Sequence, residues 1–172
     1  MARKLVLTVI GDDRPGLVGS LASIISAREG NWLESSMSHL AGKFAGVLCV
    51  EIADSEVEGL IATLSALPEL RVVVEASEAA MEPSGSRRFS LALVGHDRIG
   101  IVSELSAVLA RHSVNVEKLS TYTASAPMSS ETLFHAEAEL LVEPGFESAR
   151  LQQDLERIST DLMVDITLAD TP

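Results

Sequence analysis

Between Leu5 and Ile10 the chain is a short, β-rich apolar run, and from Leu17 the apolar spacing changes. Positions 17, 21, 24 and 25 form the i, i+4, i+7, i+8 stripe of an amphipathic helix. Two strand-like segments follow, 31–40 and 43–52, with a tight turn at Ala41-Gly42. A second helix over 56–66 and a last strand over 71–76 complete the set. The same order then returns. A run around Leu91 precedes a helix stripe at 101, 105, 108 and 109, and strands over 115–124 and 133–142 flank a longer loop, 125–132. A helix over 146–159 and a strand over 162–168 close the chain, which reads βαββαβ twice.

The periodicity has a duplication behind it. Gly11-Asp12-Asp13-Arg14-Pro15-Gly16-Leu17-Val18 reappears as Gly95-His96-Asp97-Arg98-Ile99-Gly100-Ile101-Val102. The same offset pairs Leu21 with Leu105, Asn31 with Asn115 and Ser36 with Ser120. Two copies of about 80 residues are a pair of domains, since a solenoid uses shorter and more numerous units. The expected boundaries are 1–80 and 89–172, with the aperiodic segment 81–88 as linker. A βαββαβ chain predicts an α+β fold: a ferredoxin-like, four-stranded antiparallel sheet with both helices on one face, formed twice. Runs such as Val47-Leu48-Cys49-Val50 and Val72-Val73-Val74 are apolar on both strand parities. That predicts sheets that meet other sheets or extend edge to edge, in a homodimer or between the two domains.

Composition narrows the classes. Of 172 residues 47% are apolar but only 3% aromatic, so the cores must be aliphatic. The formal charge is −12, divided as −6 in residues 1–82 and −6 in 83–172. An acidic surface on both halves argues against direct nucleic-acid binding. A single cysteine, Cys49, excludes a disulfide scaffold. The apolar run at 5–10 is too short for a signal peptide, and no segment has the length of a membrane helix. A soluble cytoplasmic protein with no membrane contact is expected.

Candidate chemistry concentrates in the loop before the first helix. Asp13 is placed to cap that helix, Pro15 suits its first turn, and Gly16 permits close approach to the backbone. The free N–H groups of a helix start make an anion site fit for a small carboxylate. Asn31, after the same helix, offers an amide to an α-amino or α-carboxyl group, and Gly30 is expected to end the helix in the left-handed conformation. Arg14 and Arg98 either neutralise a ligand or pair with neighbouring acids. Gly11 to Gly16 has phosphate-loop spacing, but Leu17-Val18 replace the required Lys and Ser/Thr. His96-Asp97 lacks further residues at metal-ligand spacing, and His112 continues the helix stripe as a core-edge residue. No catalytic, metal or cofactor motif emerges.

The Gly11–Val18 run, the helix, and Gly30-Asn31 within a βαββαβ module resemble the ACT domain, a small-ligand regulatory module. The tandem arrangement is similar to the glycine cleavage system transcriptional repressor family. So are Asn115-Val116-Glu117-Lys118-Leu119-Ser120-Thr121, Ala126-Pro127-Met128 and Leu133-Phe134. The resemblance implies a non-enzymatic regulator that restrains a DNA-binding transcription factor by protein contact, with glycine relieving the restraint. It implies ligand sites between the strand-to-helix loop of one ACT domain and a neighbouring sheet edge. Carried onto this chain, those are Asp13, Arg14, Gly16, Leu17 and Asn31, with Asp97, Arg98, Gly100, Ile101 and Asn115 in the second copy. The second copy departs from the pattern with Ile99 for Pro15 and Val114 for Gly30. An alternative implication is the ACT-type regulatory subunit of an amino-acid or one-carbon metabolic enzyme.

Overall fold

Leu5, Leu7 and Val9 alternate with more exposed neighbours along β1 (Ala2–Asp12), so one face of this strand enters a core. The structure, a computed structural model, describes residues 1–77 and 83–171. The first module continues with α1 (Leu17–Ala27), β2 (Asn31–Leu40), β3 (Lys43–Ala53), a 3-10 turn (Asp54–Glu56), α2 (Val57–Ser65) and β4 (Leu70–Ala76). The second has β5 (Arg87–His96), α3 (Ile101–Arg111), β6 (Asn115–Ser125), β7 (Thr132–Val142), α4 (Ser148–Leu162) and β8 (Val164–Thr171). They lie in two compact units, Met1–Ala80 and Met81–Pro172. The sheets are antiparallel with strand orders β2-β3-β1-β4 and β6-β7-β5-β8, the double βαββαβ topology expected. Of the segment expected as linker, residues 81 and 82 lie outside the described residues. Arg87 and Arg88 already pair with Val142 and Leu141 in the sheet.

Each sheet packs its helices on one face. In the first module Leu7, Leu21, Leu48, Val50, Leu60 and Leu64 are buried, and in the second Leu91, Leu105, Ala138, Leu140, Leu151 and Leu155. The helices leave the core differently. Arg28 donates to Glu56 (3.3 Å) and Thr63 (3.2 Å), tying the end of α1 to α2. At the same repeat position His112 sits 2.9 Å from the Asp154 carboxylate and ties α3 to α4. That hydrogen bond holds the Asp154 carboxyl below its ordinary range. His112 is thus an inter-helix connector beyond the end of the apolar stripe.

The helix stop is corrected by one residue. Glu29 (φ 56°) and Ser113 (φ 55°) take the left-handed conformation, not Gly30. The N–H groups of Gly30 and Val114 then donate to the carbonyls of Ile25 (2.9 Å) and Leu109 (3.0 Å). Gly30 serves space: a Cβ there would sit 2.8 Å from Cγ2 of Ile25. Leu109 replaces Ile25 in the second copy and carries no branch at Cβ, which makes room for Val114. The last helix spans Ser148–Leu162 instead of 146–159, and Met163 (φ 52°) caps its end in the left-handed region.

The faces opposite the helices diverge. On the first sheet Ile10, Val47 and Val73 are 44%, 46% and 52% exposed, beside half-buried Val6, Ala45 and Cys49. Register places Thr8 opposite both Val47 and Val73, and Val6 opposite Cys49 and Glu75. On the second sheet the equivalent positions hold Ser90, Ala92, Glu137, Glu139 and Thr167, around an open groove of about 400 Å3.

Candidate functional site

Asp12 ends β1 opposite Lys43 of β3, and the Lys43 ammonium pairs with the Asp12 carboxylate. This hydrogen bond and the lysine charge hold the Asp12 carboxyl below its ordinary range. The backbone N–H of Asp13 donates to Gly42 (3.0 Å), which fixes the loop to the β2–β3 turn, and its carboxylate lies 3.6 Å from His39. Arg14 pairs with Glu69, just before β4. Asp13 does not cap α1. The N-cap is Gly16 at φ 95°, and no side chain bonds to the helix start. Ser20 makes the first helical bond, to the Gly16 carbonyl (2.9 Å), so the N–H groups of Leu17, Val18 and Gly19 have no acceptor within the helix.

The second module repeats the backbone and alters the charges. Gly100 has φ 97°, Glu104 bonds back to the Gly100 carbonyl (2.9 Å), and the Asp97 N–H donates to Thr132 (3.0 Å). Arg98 pairs with Glu104 at 2.7 Å, and that acid stands in the first turn of α3. The corresponding first turn of α1 has no acid, and Ser20 occupies the equivalent position. An anion of the protein itself therefore lies at the start of α3, while the start of α1 is open.

Leu17 and Ile101 are buried in their cores, so each offers a ligand only its backbone. Asn31 and Asn115 are exposed but stand at the wrong end of their own module to join the loop. Asn31 opposes Glu51, which opposes Lys4, whereas the loop follows Asp12. The two ends are separated by about 27 Å along β1, at roughly 3.4 Å per residue. The structure thus brings Asp13, Arg14, Gly16 and the Leu17 N–H together, and Asp97, Arg98, Gly100 and the Ile101 N–H likewise. It does not add either Asn within one module. Lys43 and Glu69 went unnoticed in the sequence because only β3 and β4 register brings them to the loop. A hollow of about 440 Å3 lined by Ile10, Asp12, Lys43, Pro68, Glu69 and Arg71 lies beside the loop, and Asp13, Arg14, Gly16 and Leu17 are not part of its lining.

Chemically, the open α1 start and the Arg14 guanidinium suit a carboxylate, and Asp13 and Glu69 suit an ammonium. Sheet order, helix placement and this loop define a tandem ACT-like fold. Residues 3–76 match the ACT domain family. An unknown protein from Galdieria sulphuraria is similar over the full length of both chains, with 26% identity and a TM-score of 0.90. A protein provisionally named a glycine cleavage system transcriptional repressor is similar over 99% of this chain and 98% of its own, with 18% identity and a TM-score of 0.69. UPF0237 protein MK1213 of Methanopyrus kandleri is 35% identical over 54 residues, and the match spans 60% of that relative's length. Among the described residues no helix is long and apolar enough to cross a membrane.

Proposed function

We propose that the chain is a cytoplasmic, amino-acid-responsive regulator that acts through protein contact, with the first module as its sensor. The observation that carries this is the uncapped start of α1 beside Arg14, Asp13 and Glu69, a pairing of donors and acids suited to a zwitterion. In the second module Glu104 already occupies the equivalent place, which supports a partner role for that copy. An amide such as Asn31 would complete the site only from another domain or subunit, and the same reading holds the chain as a homodimer. Glycine is the first ligand to try, because the likeness to a protein provisionally named a glycine cleavage system transcriptional repressor points to it.

The test is thermal unfolding against the twenty amino acids. A ligand at about 100 times its Kd adds roughly 2.7 kcal/mol. Ser20→Glu should abolish the response by placing a carboxylate where Glu104 stands, and Arg14→Ala should weaken it. A flat profile at millimolar ligand overturns the reading. Affinity capture with and without glycine then reports the partner. A DNA-binding transcription factor released by glycine supports the repressor-like role, and a metabolic enzyme would move the chain to the regulatory-subunit class.

A further inference from the structure

The open face of the first sheet has a layout that fits a copy of itself. Along the strand order β2-β3-β1-β4, three rows cross this face. The upper row is Ser38, Ala45, Ile10 and Arg71, the middle row Ser36, Val47, Thr8 and Val73, and the lower row Glu34, Cys49, Val6 and Glu75. The middle row carries no charge. A two-fold axis between facing sheets, perpendicular to the strands and level with Thr8, lays this row on itself and exchanges the other two. It sets Arg71 of each copy over Glu75 of the other, twice, and Glu34 over Ser38.

We infer that the homodimer forms face to face through the first sheet, with Val6, Ile10, Val47, Cys49 and Val73 at its centre and reciprocal Arg71–Glu75 pairs at its rim. The inference rests on the dimer in the reading above and assigns its surface. Sheets pack about 10 Å apart with strands roughly aligned, as this axis requires. Four strands at about 4.8 Å and seven residues at about 3.4 Å give a face of roughly 450 Å2 in projection. Two such faces, with side-chain relief, bury on the order of 1,000 Å2, the lower bound for a specific interface. The second sheet is unsuited to the same operation. Its middle row includes Glu137, which would meet its own copy. Like charges laid together in a closing interface oppose association.

Sedimentation of the full chain over a range of concentrations tests the assignment, with Trp32 fluorescence reporting that each variant is folded. A concentration-dependent dimer is expected, and Val47→Glu should leave a folded monomer. Arg71→Glu and Glu75→Arg, both at exposed positions, should each weaken the dimer by about tenfold. Combining them should restore it, because the reciprocal pairs are rebuilt with their signs exchanged. A dimer untouched by Val47→Glu, or a double reversal no better than the singles, overturns the face but keeps the dimer. A chain that stays monomeric overturns both, and the amino-acid response is read separately, by thermal unfolding of the unsubstituted chain.

Discussion

The two modules agree inside and disagree outside. Leu7 and Leu91, Leu21 and Leu105, Leu48 and Ala138, and Val50 and Leu140 fill equivalent core places, and all are buried. On the opposite sheet faces Val47 answers to Glu137, Cys49 to Glu139, Val73 to Thr167 and Val6 to Ser90. The core side of a strand is constrained by the helices on it, so volume and apolarity persist after duplication. The open side has no such neighbour within the module and is free to take up a separate role. One sheet acquired an apolar face and the other a wet one, and the loops followed the same course, with Ser20 facing Glu104.

The strongest way to break the comparison is through the cores. Leu7→Ala and Leu91→Ala each remove a fully buried side chain from the middle of a sheet. Each should cost about 2–5 kcal/mol, and each should act on its own module. The chain provides separate reporters, since Trp32 is its one tryptophan and Tyr122 its one tyrosine. Denaturant titrations should show Leu7→Ala moving the Trp32 transition and Leu91→Ala the Tyr122 transition, by similar amounts. A shift of both signals by either variant would mean that the cores are not independent.

A second comparison concerns the connectors. Arg28 ties α1 to Glu56 and Thr63, whereas the His112–Asp154 contact depends on an ionised carboxylate. Because the folded Asp154 pKa lies below its unfolded value, the contact contributes stability above the unfolded pKa. That contribution is lost as pH falls through the folded pKa. Asp154→Asn should therefore lower the melting temperature of the second module near neutrality. The gap from the unsubstituted chain should close in acid, below the ordinary aspartate range. A gap that persists at low pH would show that shape, not charge, makes the connection.

Much of this is legible in the sequence, and for physical reasons. The 3.6-residue stripes at Leu17 and Ile101 and the repeated Gly-Asp/His-Asp-Arg loop gave the double topology, because both signals are local. Asp13 has the chemistry of a cap, but Gly16, three residues later, takes the N-cap in a left-handed conformation with no side chain of its own. Asn31 follows the helix that the loop begins, and that helix carries the chain to the far end of its sheet, so the two do not meet within one module. Lys43, Glu69 and Arg71 reach the loop only through pairing of distant strands, which no local period reveals. The apolar double parity of Val47 to Val50 did signal an uncovered face; which sheet keeps it, and in what charge pattern, required the register.

The smallest expected effect lies where the two modules agree against local preference. Glu29 and Ser113 both hold φ near 55° at the ends of their helices, a conformation that crowds the Cβ of any L-residue other than glycine. The geometry is imposed by the bonds that follow, from the N–H groups of Gly30 and Val114 back to the helices. Relief of the crowding favours glycine in the folded chain, while glycine's greater freedom when unfolded works against it. The net of the two leaves Glu29→Gly and Ser113→Gly stabilising by about 0.5–1 kcal/mol, each in its own module. The Trp32 and Tyr122 transitions read the two gains separately. Equal gains would show that the helix stop is a property of the duplicated backbone. A gain confined to Ser113→Gly would instead show that the Glu29 side chain contributes where Ser113 does not, and would extend the divergence of the modules to their helix ends.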